Sequence, residues 1–185
     1  QPKNAASYAA KLNDVIAEYD LGYYDNVAFN LVLLSGDSGP KVTALQYLLS
    51  AAGYAAPTSG KFDSATVAAV KKFQKAKKLE VDGEAGPITL TAVAPSLSSG
   101  AKGDAVRALA TLLASAGQQV GGASSFSADV VAAVKSFQAS VGRSVTGSVD
   151  DRTWAALFMT LDAGTPKVSG KAAVGEKLTA SAGKW

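Results

Sequence analysis

The sequence contains no histidine and no cysteine among its 185 residues. Histidine is the most frequent general base and metal ligand near neutral pH, and cysteine supplies thiolate nucleophiles and zinc ligands. Their absence excludes disulfides, thiolate zinc sites and every catalytic triad or dyad with a histidine base. Only carboxylate, Lys, Tyr or Ser chemistry remains, so we expect no metal site and no cofactor.

Long apolar runs and a strong basic stripe are also missing. No segment approaches the roughly 18 consecutive apolar residues that mark a membrane span, so we expect no membrane insertion. The net charge of +3 and the pI of about 9.0 form only a mild bias, and we expect no nucleic-acid partner. Hydrophobic residues make up 48% of the chain and charged residues 18%, which is ample material for folded cores.

The chain repeats itself at an offset of 64 positions. Without gaps, 22 of the 59 residue pairs from Ser35/Ser99 to Val93/Leu157 are identical. The run VAAVK stands at 67–71 and again at 131–135. An ungapped match of this length indicates a duplicated structural unit.

Each unit is predicted to form three short helices joined by loops. In the first unit, Val42, Leu45 and Leu49 recur at the spacing of one helical face. Asp63 is a suitable N-cap for the second helix. Pro87 suits the first position of the third helix.

The flanking segments differ from the two units. Residues 5–19 have the pattern of an amphipathic helix. The end of the chain suggests two short strands and resembles the opening of an immunoglobulin-like repeat of bacterial surface proteins. The predicted organisation is mainly α: an N-terminal helix and connector (1–34), one unit (35–97), a second unit (98–163), and a β-like tail or truncated immunoglobulin-like repeat (164–185).

The first unit resembles the peptidoglycan-binding domain-1 family. It contains a G-D-x-G opening, V-x-x-L-Q, a closing G-Y, then T-x-x-A-V-x-x-F-Q and D-G-x-x-G-x-x-T. The residues that carry the resemblance are Gly36, Asp37, Gly39, Val42, Leu45, Gln46, Gly53, Tyr54, Thr66, Ala69, Val70, Phe73, Gln74, Asp82, Gly83, Gly86 and Thr89. The second unit departs from the pattern at Ala110, Gln118 and Thr146, which replace Gln46, Tyr54 and Asp82.

This resemblance implies two tandem three-helix bundles in a secreted protein of the bacterial cell wall. Members of the family accompany peptidoglycan-processing enzymes such as amidases, so the implied partners are peptidoglycan or its stem peptide and a covalently linked catalytic domain. Some copies in the family serve as spacers or contact other proteins. A structural or protein-docking module without glycan binding therefore remains the alternative.

Candidate ligand-binding residues surround the D-G loop of the first unit. Sugars and peptides are bound by hydrogen bonds from Asp, Gln and Thr together with an aromatic face. We therefore expect a groove between this loop and the helix that carries Gln46 and Tyr54. Gln74 could equally cap a loop internally, and Gly83 is a turn residue. The candidates are Gln46, Tyr54, Gln74, Asp82, Gly83 and Thr89.

No catalytic motif is supported. S-x-x-K occurs at Ser38, Ser99 and Ser181 without its companion motifs, which favours chance over serine-lysine catalysis. Adjacent Asp150 and Asp151 do not face each other across a substrate and suit helix capping. The lysines from 71 to 78 favour a solvated helix face over an anion-binding patch. We expect no enzymatic activity from this chain alone.

Overall fold

The computed structural model describes residues 31–160 and the backbone of residues 167–169 and 179–181. The amphipathic helix predicted over residues 5–19 lies outside the described residues. Most of the N-terminal connector and most of the C-terminal tail lie outside them as well.

Six α-helices follow one another through residues 31–160, in two sets of three. They are α1 (Pro40–Ala51), α2 (Ser64–Lys77), α3 (Pro87–Val93), α4 (Asp104–Ser115), α5 (Ala128–Ser140) and α6 (Asp151–Met159). Each helix of the second unit begins 64 residues after its counterpart in the first. The predicted mainly α fold with two tandem three-helix units is confirmed.

The helix starts follow from local chemistry. The Asp63 side chain accepts a hydrogen bond from the Thr66 amide at 2.9 Å, and Asp150 accepts one from the Thr153 amide at 2.7 Å. These bonds satisfy amides that lack a partner in the first turn of a helix. Pro87 is the first residue of α3, where its missing N–H costs nothing. The predicted roles of Asp63 and Pro87 are confirmed.

Short antiparallel bridges hold the loops of each unit at the same positions. In each unit one bridge joins the segment before the first helix to the loop before the second helix. Another joins the start of the unit to the loop before the third helix. The four bridges pair Ser38 with Lys61, Lys102 with Ser125, Leu33 with Ala85, and Leu97 with Val149.

Two three-residue strands lie in the segment where short strands were predicted. β1 (Lys167–Ser169) pairs antiparallel with β2 (Thr179–Ser181). Val168 lies opposite Ala180 in this register. Whether the segment opens an immunoglobulin-like repeat stays a prediction.

The two units share one hydrophobic core. Their most extensive helix–helix contact joins α1 to its own counterpart α4. Seven of the 12 residues of α4 are buried, more than one packed face requires. In a symmetric dimer, an isologous interface brings the same surface of both subunits together. Here the same surface of the two units meets within one chain. The duplication therefore produced one fused body from two units.

Trp154 in α6 forms a hydrogen bond to the segment that connects the two units. Its side chain is fully buried, and its indole Nε1 donates a hydrogen bond to the Pro95 carbonyl at 2.7 Å. A buried indole N–H needs such a partner. The linker is thus held against the shared core.

Candidate binding clefts

Gln74, near the end of α2, organises the D-G loop. Its side chain is buried, and its amide nitrogen lies 2.6 Å from Asp82 Oδ1, 2.9 Å from the Glu84 carbonyl and 3.1 Å from Thr89 Oγ1. Its Oε1 accepts a hydrogen bond from the Gly83 amide at 2.9 Å. Because every polar atom of the amide has a partner in the protein, Gln74 acts as a brace between helix and loop.

The tight loop requires glycine at position 83. Gly83 has φ of +85°, and a Cβ there would lie 2.7 Å from Lys71 Cε and 3.0 Å from Val67 Cγ1. Gly147, its counterpart, has φ of +77° and meets the equivalent lysine and valine at similar distances. The alkyl stem of Lys71 therefore packs over the loop while its ammonium group reaches solvent.

An open cleft of about 230 Å³ lies between this loop and the start of α3, and we call it cleft 1. Its lining includes three apolar residues, Val32, Leu79 and Ile88. It also includes three acidic residues of the loop. The lining residues are Val32, Gln74, Leu79, Glu80, Asp82, Glu84, Gly86, Pro87, Ile88 and Thr89.

The second unit has a cleft at the same place, with a volume of about 300 Å³, which we call cleft 2. Gln138 braces it as Gln74 braces cleft 1, with its amide nitrogen 3.1 Å from Thr146 Oγ1 and 2.8 Å from the Ser148 carbonyl. The Gly147 amide donates to Gln138 Oε1 at 2.9 Å. The lining residues are Gln138, Gly142, Arg143, Ser144, Thr146, Asp150, Arg152 and Thr153.

Gln46 lies inside the first unit and does not reach the solvent. Its amide nitrogen donates to the Lys61 carbonyl and to Thr66 Oγ1, both at 2.9 Å. Its Oε1 accepts the Gly60 amide at 2.9 Å. The side chain has 0% exposure, so it supports the loop before α2.

Tyr54 lies on a different face from cleft 1. Its ring contacts Phe73 edge-to-face, with ring centroids 5.4 Å apart. Together with Phe73, Lys77 and Val93 it lines a separate depression of about 260 Å³. The expected groove between the D-G loop and the helix carrying Gln46 is therefore replaced by two separate depressions.

Three of the six candidate residues line cleft 1 and a fourth lies in its loop. Gln74, Asp82 and Thr89 are in the lining, and Gly83 donates to Gln74 within the loop. The sequence analysis missed the apolar residues of the cleft. Leu79 and Ile88 lie just before and just after the D-G-x-x-G motif, and this position could have indicated their role.

Two helix caps have perturbed carboxyl groups. Partial burial tends to raise the pKa of Asp150, but hydrogen bonds from Thr153 and the positive charge of Arg143 outweigh it, so the pKa is lowered. The hydrogen bond from the Thr66 amide is the largest cause of the lowered pKa of Asp63. Both caps are ionised at neutral pH.

Acidic residues do not gather into a metal site within residues 31–160, where no group of three or more potential ligands is found. In the same part of the chain, no helix is both long and apolar enough to span a membrane. The lysines of α2 and of the residue after it, at positions 71, 72, 75, 77 and 78, are all exposed.

Two fused three-helix units, each with a glutamine-braced cleft, define the chain as a duplicated helical module. Residues 38–93 and 102–157 match the model of the peptidoglycan binding domain family, and the chain belongs to that family. It is also similar to N-acetylmuramoyl-L-alanine amidase CwlL of Bacillus licheniformis, with 44% identity over 66 residues. That match covers 34% of this chain and 18% of the amidase, so the chain spans only a small part of that relative.

Proposed function

We propose that this chain is a non-catalytic region that binds peptidoglycan and holds an attached peptidoglycan hydrolase, such as an amidase, on the cell wall. Membership of both units in a peptidoglycan binding family supports the binding role. The similarity to part of an amidase supports the association with a hydrolase. Secretion to the cell wall belongs to the same proposal.

The observation that carries the proposal is the mixed chemistry of cleft 1. Val32, Leu79 and Ile88 offer apolar surface in the same cleft as the carboxylates of the loop. A stem peptide presents both small apolar side chains and amino groups. Ligand sites typically combine an apolar surface with a few placed polar groups, and cleft 1 has both. We therefore assign the stem peptide to cleft 1.

The candidate residues take different parts in this site. Asp82 is exposed, and its second carboxylate oxygen accepts no hydrogen bond among the described residues, so we assign it a direct contact with the ligand. Thr89 lines the cleft but is only 5% exposed, and its hydroxyl accepts a hydrogen bond from Gln74, so it supports the loop. Gln74 and Gly83 hold the loop in shape. Tyr54 would contact glycan only on the separate face that it lines.

The test uses a change in the cleft wall that spares the core. Ile88 lies in the first turn of α3 and is only half-buried. In Ile88→Lys we expect co-sedimentation with purified sacculi to weaken about tenfold, because the lysine removes the apolar contact and repels the amino group that the loop carboxylates attract. Circular dichroism reports whether the helices are intact.

The matched control is Val81→Lys. Val81 lies in the same loop, is 48% exposed and is not part of the cleft lining. It receives the same chemical change outside the site and should leave sedimentation unaltered. Equal losses in both variants would remove cleft 1 as the binding site. No sedimentation of the wild-type chain at moderate salt would remove the binding function.

The shared core favours a second candidate function, that of a rigid spacer or docking module. The α1–α4 contact and the Trp154 hydrogen bond make two units into one body, as a spacer requires. A spacer would stay in the supernatant when sacculi are sedimented. The intact parent protein would nevertheless lose activity when the two units are replaced by a flexible linker. Retained activity after that replacement would exclude the spacer role.

A further inference from the structure

Cleft 2 keeps the framework of cleft 1 but reverses its charge. At the 64-residue offset, Glu80, Asp82 and Glu84 correspond to Ser144, Thr146 and Ser148. The three carboxylates of cleft 1 have thus become hydroxyls. The change is confined to exposed loop positions, while the buried brace Gln138 keeps its partners.

Arginine replaces the apolar wall. Leu79 corresponds to Arg143 and Ile88 to Arg152, and both arginines line cleft 2. The chain has only three arginines among 18 basic residues, and two of them stand here. The third, Arg107, is paired with Asp104 at 2.7 Å outside both clefts.

The two guanidinium groups are available to a ligand. Within residues 31–160 neither Arg143 nor Arg152 donates a side-chain hydrogen bond or forms an ion pair, and both are exposed. Asp150 also lines cleft 2, where it corresponds to Gly86, and it uses Oδ1 to cap α6, accepting from both the amide and the hydroxyl of Thr153. Asp150 thus serves the helix, although Arg143 acts on it electrostatically. The packing of the fold does not account for two arginines here.

We propose that cleft 2 binds a carboxylate of the peptidoglycan stem peptide through Arg143 and Arg152. Planar guanidinium groups recognise carboxylates with two parallel hydrogen bonds, which an ammonium group cannot reproduce. This inference rests on the proposed function and extends it: cleft 1 takes a neutral or cationic part of the wall peptide, and cleft 2 takes an anionic part.

The decisive variant copies the first unit. Arg143→Leu combined with Arg152→Ile installs the residues that cleft 1 holds at the same positions of the same fold. The probes are a muramyl peptide with free carboxylates and the same peptide with its carboxylates amidated. For the wild-type chain we expect the free acid to bind at least about tenfold more tightly than the amide, and the double variant to lose that preference.

Two further variants separate charge from geometry. Arg107→Gln removes the one arginine charge that lies outside both clefts and should leave the preference unchanged. Arg143→Lys with Arg152→Lys keeps the charge and should recover only part of the affinity. Equal binding of acid and amide by the wild-type chain would overturn the proposal, as would a preference that survives Arg143→Leu/Arg152→Ile.

Sedimentation with sacculi distinguishes this inference from the proposed function. Sacculi stripped of phosphodiester polymers should still bind the wild-type chain more strongly than the double variant. If the difference exists only on unstripped sacculi, cleft 2 recognises phosphate and the carboxylate assignment fails. If wild type and double variant bind stripped sacculi equally, only cleft 2 is refuted. If neither binds any sacculi, the proposed function itself fails.

Discussion

At the scale of residues, two buried glutamines brace the two loops of the first unit in the same way. Gln46 donates to the Lys61 carbonyl and Thr66, and accepts the Gly60 amide. Gln74 does the same with Glu84, Thr89 and Gly83. In both loops the threonine lies five positions after the residue whose carbonyl accepts from the glutamine: Thr66 after Lys61, and Thr89 after Glu84. Buried polar side chains here give the loops their shape.

The second unit keeps one of the two glutamine braces. The other glutamine and its side-chain partners are all replaced by apolar residues. Gln138 retains the network of Gln74. Gln46, Ser59 and Thr66 are replaced by Ala110, Ala123 and Val130. Replacing all three side chains with apolar ones avoids leaving a buried side-chain donor or acceptor unsatisfied.

This comparison predicts a non-additive effect. Gln46→Ala alone leaves the Gly60 amide without its acceptor and a cavity in the core, and should lower the free energy of unfolding by about 2 kcal/mol. Adding Ser59→Ala and Thr66→Val should recover about 1 kcal/mol, because the triple variant copies the second unit. Urea denaturation measures both values. Additive losses across the three positions would contradict the account.

At the scale of elements, the turn before α3 depends on a glycine for two separable reasons. Gly83 has a positive φ, and the space where its Cβ would stand is occupied by Val67 and Lys71. Gly117 has the same φ of +85° but nothing within 4 Å of the added Cβ. The chain therefore offers a matched pair that separates backbone strain from crowding.

Gly83→Ala should be more destabilising than Gly117→Ala. Both changes incur the left-handed backbone cost of roughly 1–2 kcal/mol. Gly83→Ala adds the displacement of Val67, about 1 kcal/mol more, since the lysine tip can move aside cheaply. Thermal unfolding of the two variants gives the difference. Equal losses would mean that the loop relaxes without cost and that crowding does not hold cleft 1 in shape.

At the scale of the whole molecule, the pairing of α1 with α4 joins two small cores into one. A unit of about 60 residues buries a smaller fraction of its surface than a larger domain does, so a shared core stabilises both units. Trp154 adds a hydrogen bond to the linker. The clefts of both units therefore sit on one rigid support.

A shared core predicts one cooperative transition. Leu90, in α3 of the first unit, is fully buried, and Leu90→Ala should lower the free energy of unfolding by roughly 2–4 kcal/mol. In a Trp185→Phe background, Trp154 fluorescence reports the second unit. The urea midpoint of unfolding measured by Trp154 fluorescence should shift as far as the midpoint measured by circular dichroism. Ala92→Ser, an exposed change in the same helix, should shift neither.

An unchanged Trp154 midpoint in Leu90→Ala would contradict this account, because it would mean that the units unfold independently. Two separate transitions in the wild-type chain would lead to the same conclusion.

Much of this architecture could be predicted from local pattern. The 64-residue offset, the apolar spacing of Val42, Leu45 and Leu49, the Asp63 cap and the Pro87 helix start are local features, and each corresponds to the helices observed. The loop around Asp82 was found as a site candidate because its motif is contiguous. Leu79 and Ile88 escaped notice because an apolar residue at a loop edge is equally compatible with core packing.

The sequence by itself determined where helices begin and end, because capping, proline geometry and apolar periodicity act within a few residues. Tertiary structure alone decided that Gln46 is enclosed while Asp82 is exposed, that Tyr54 faces elsewhere, and that α1 packs on α4. Those outcomes depend on residues far apart in the chain. Burial and cleft shape are set by what the fold places beside a side chain, which no local pattern specifies.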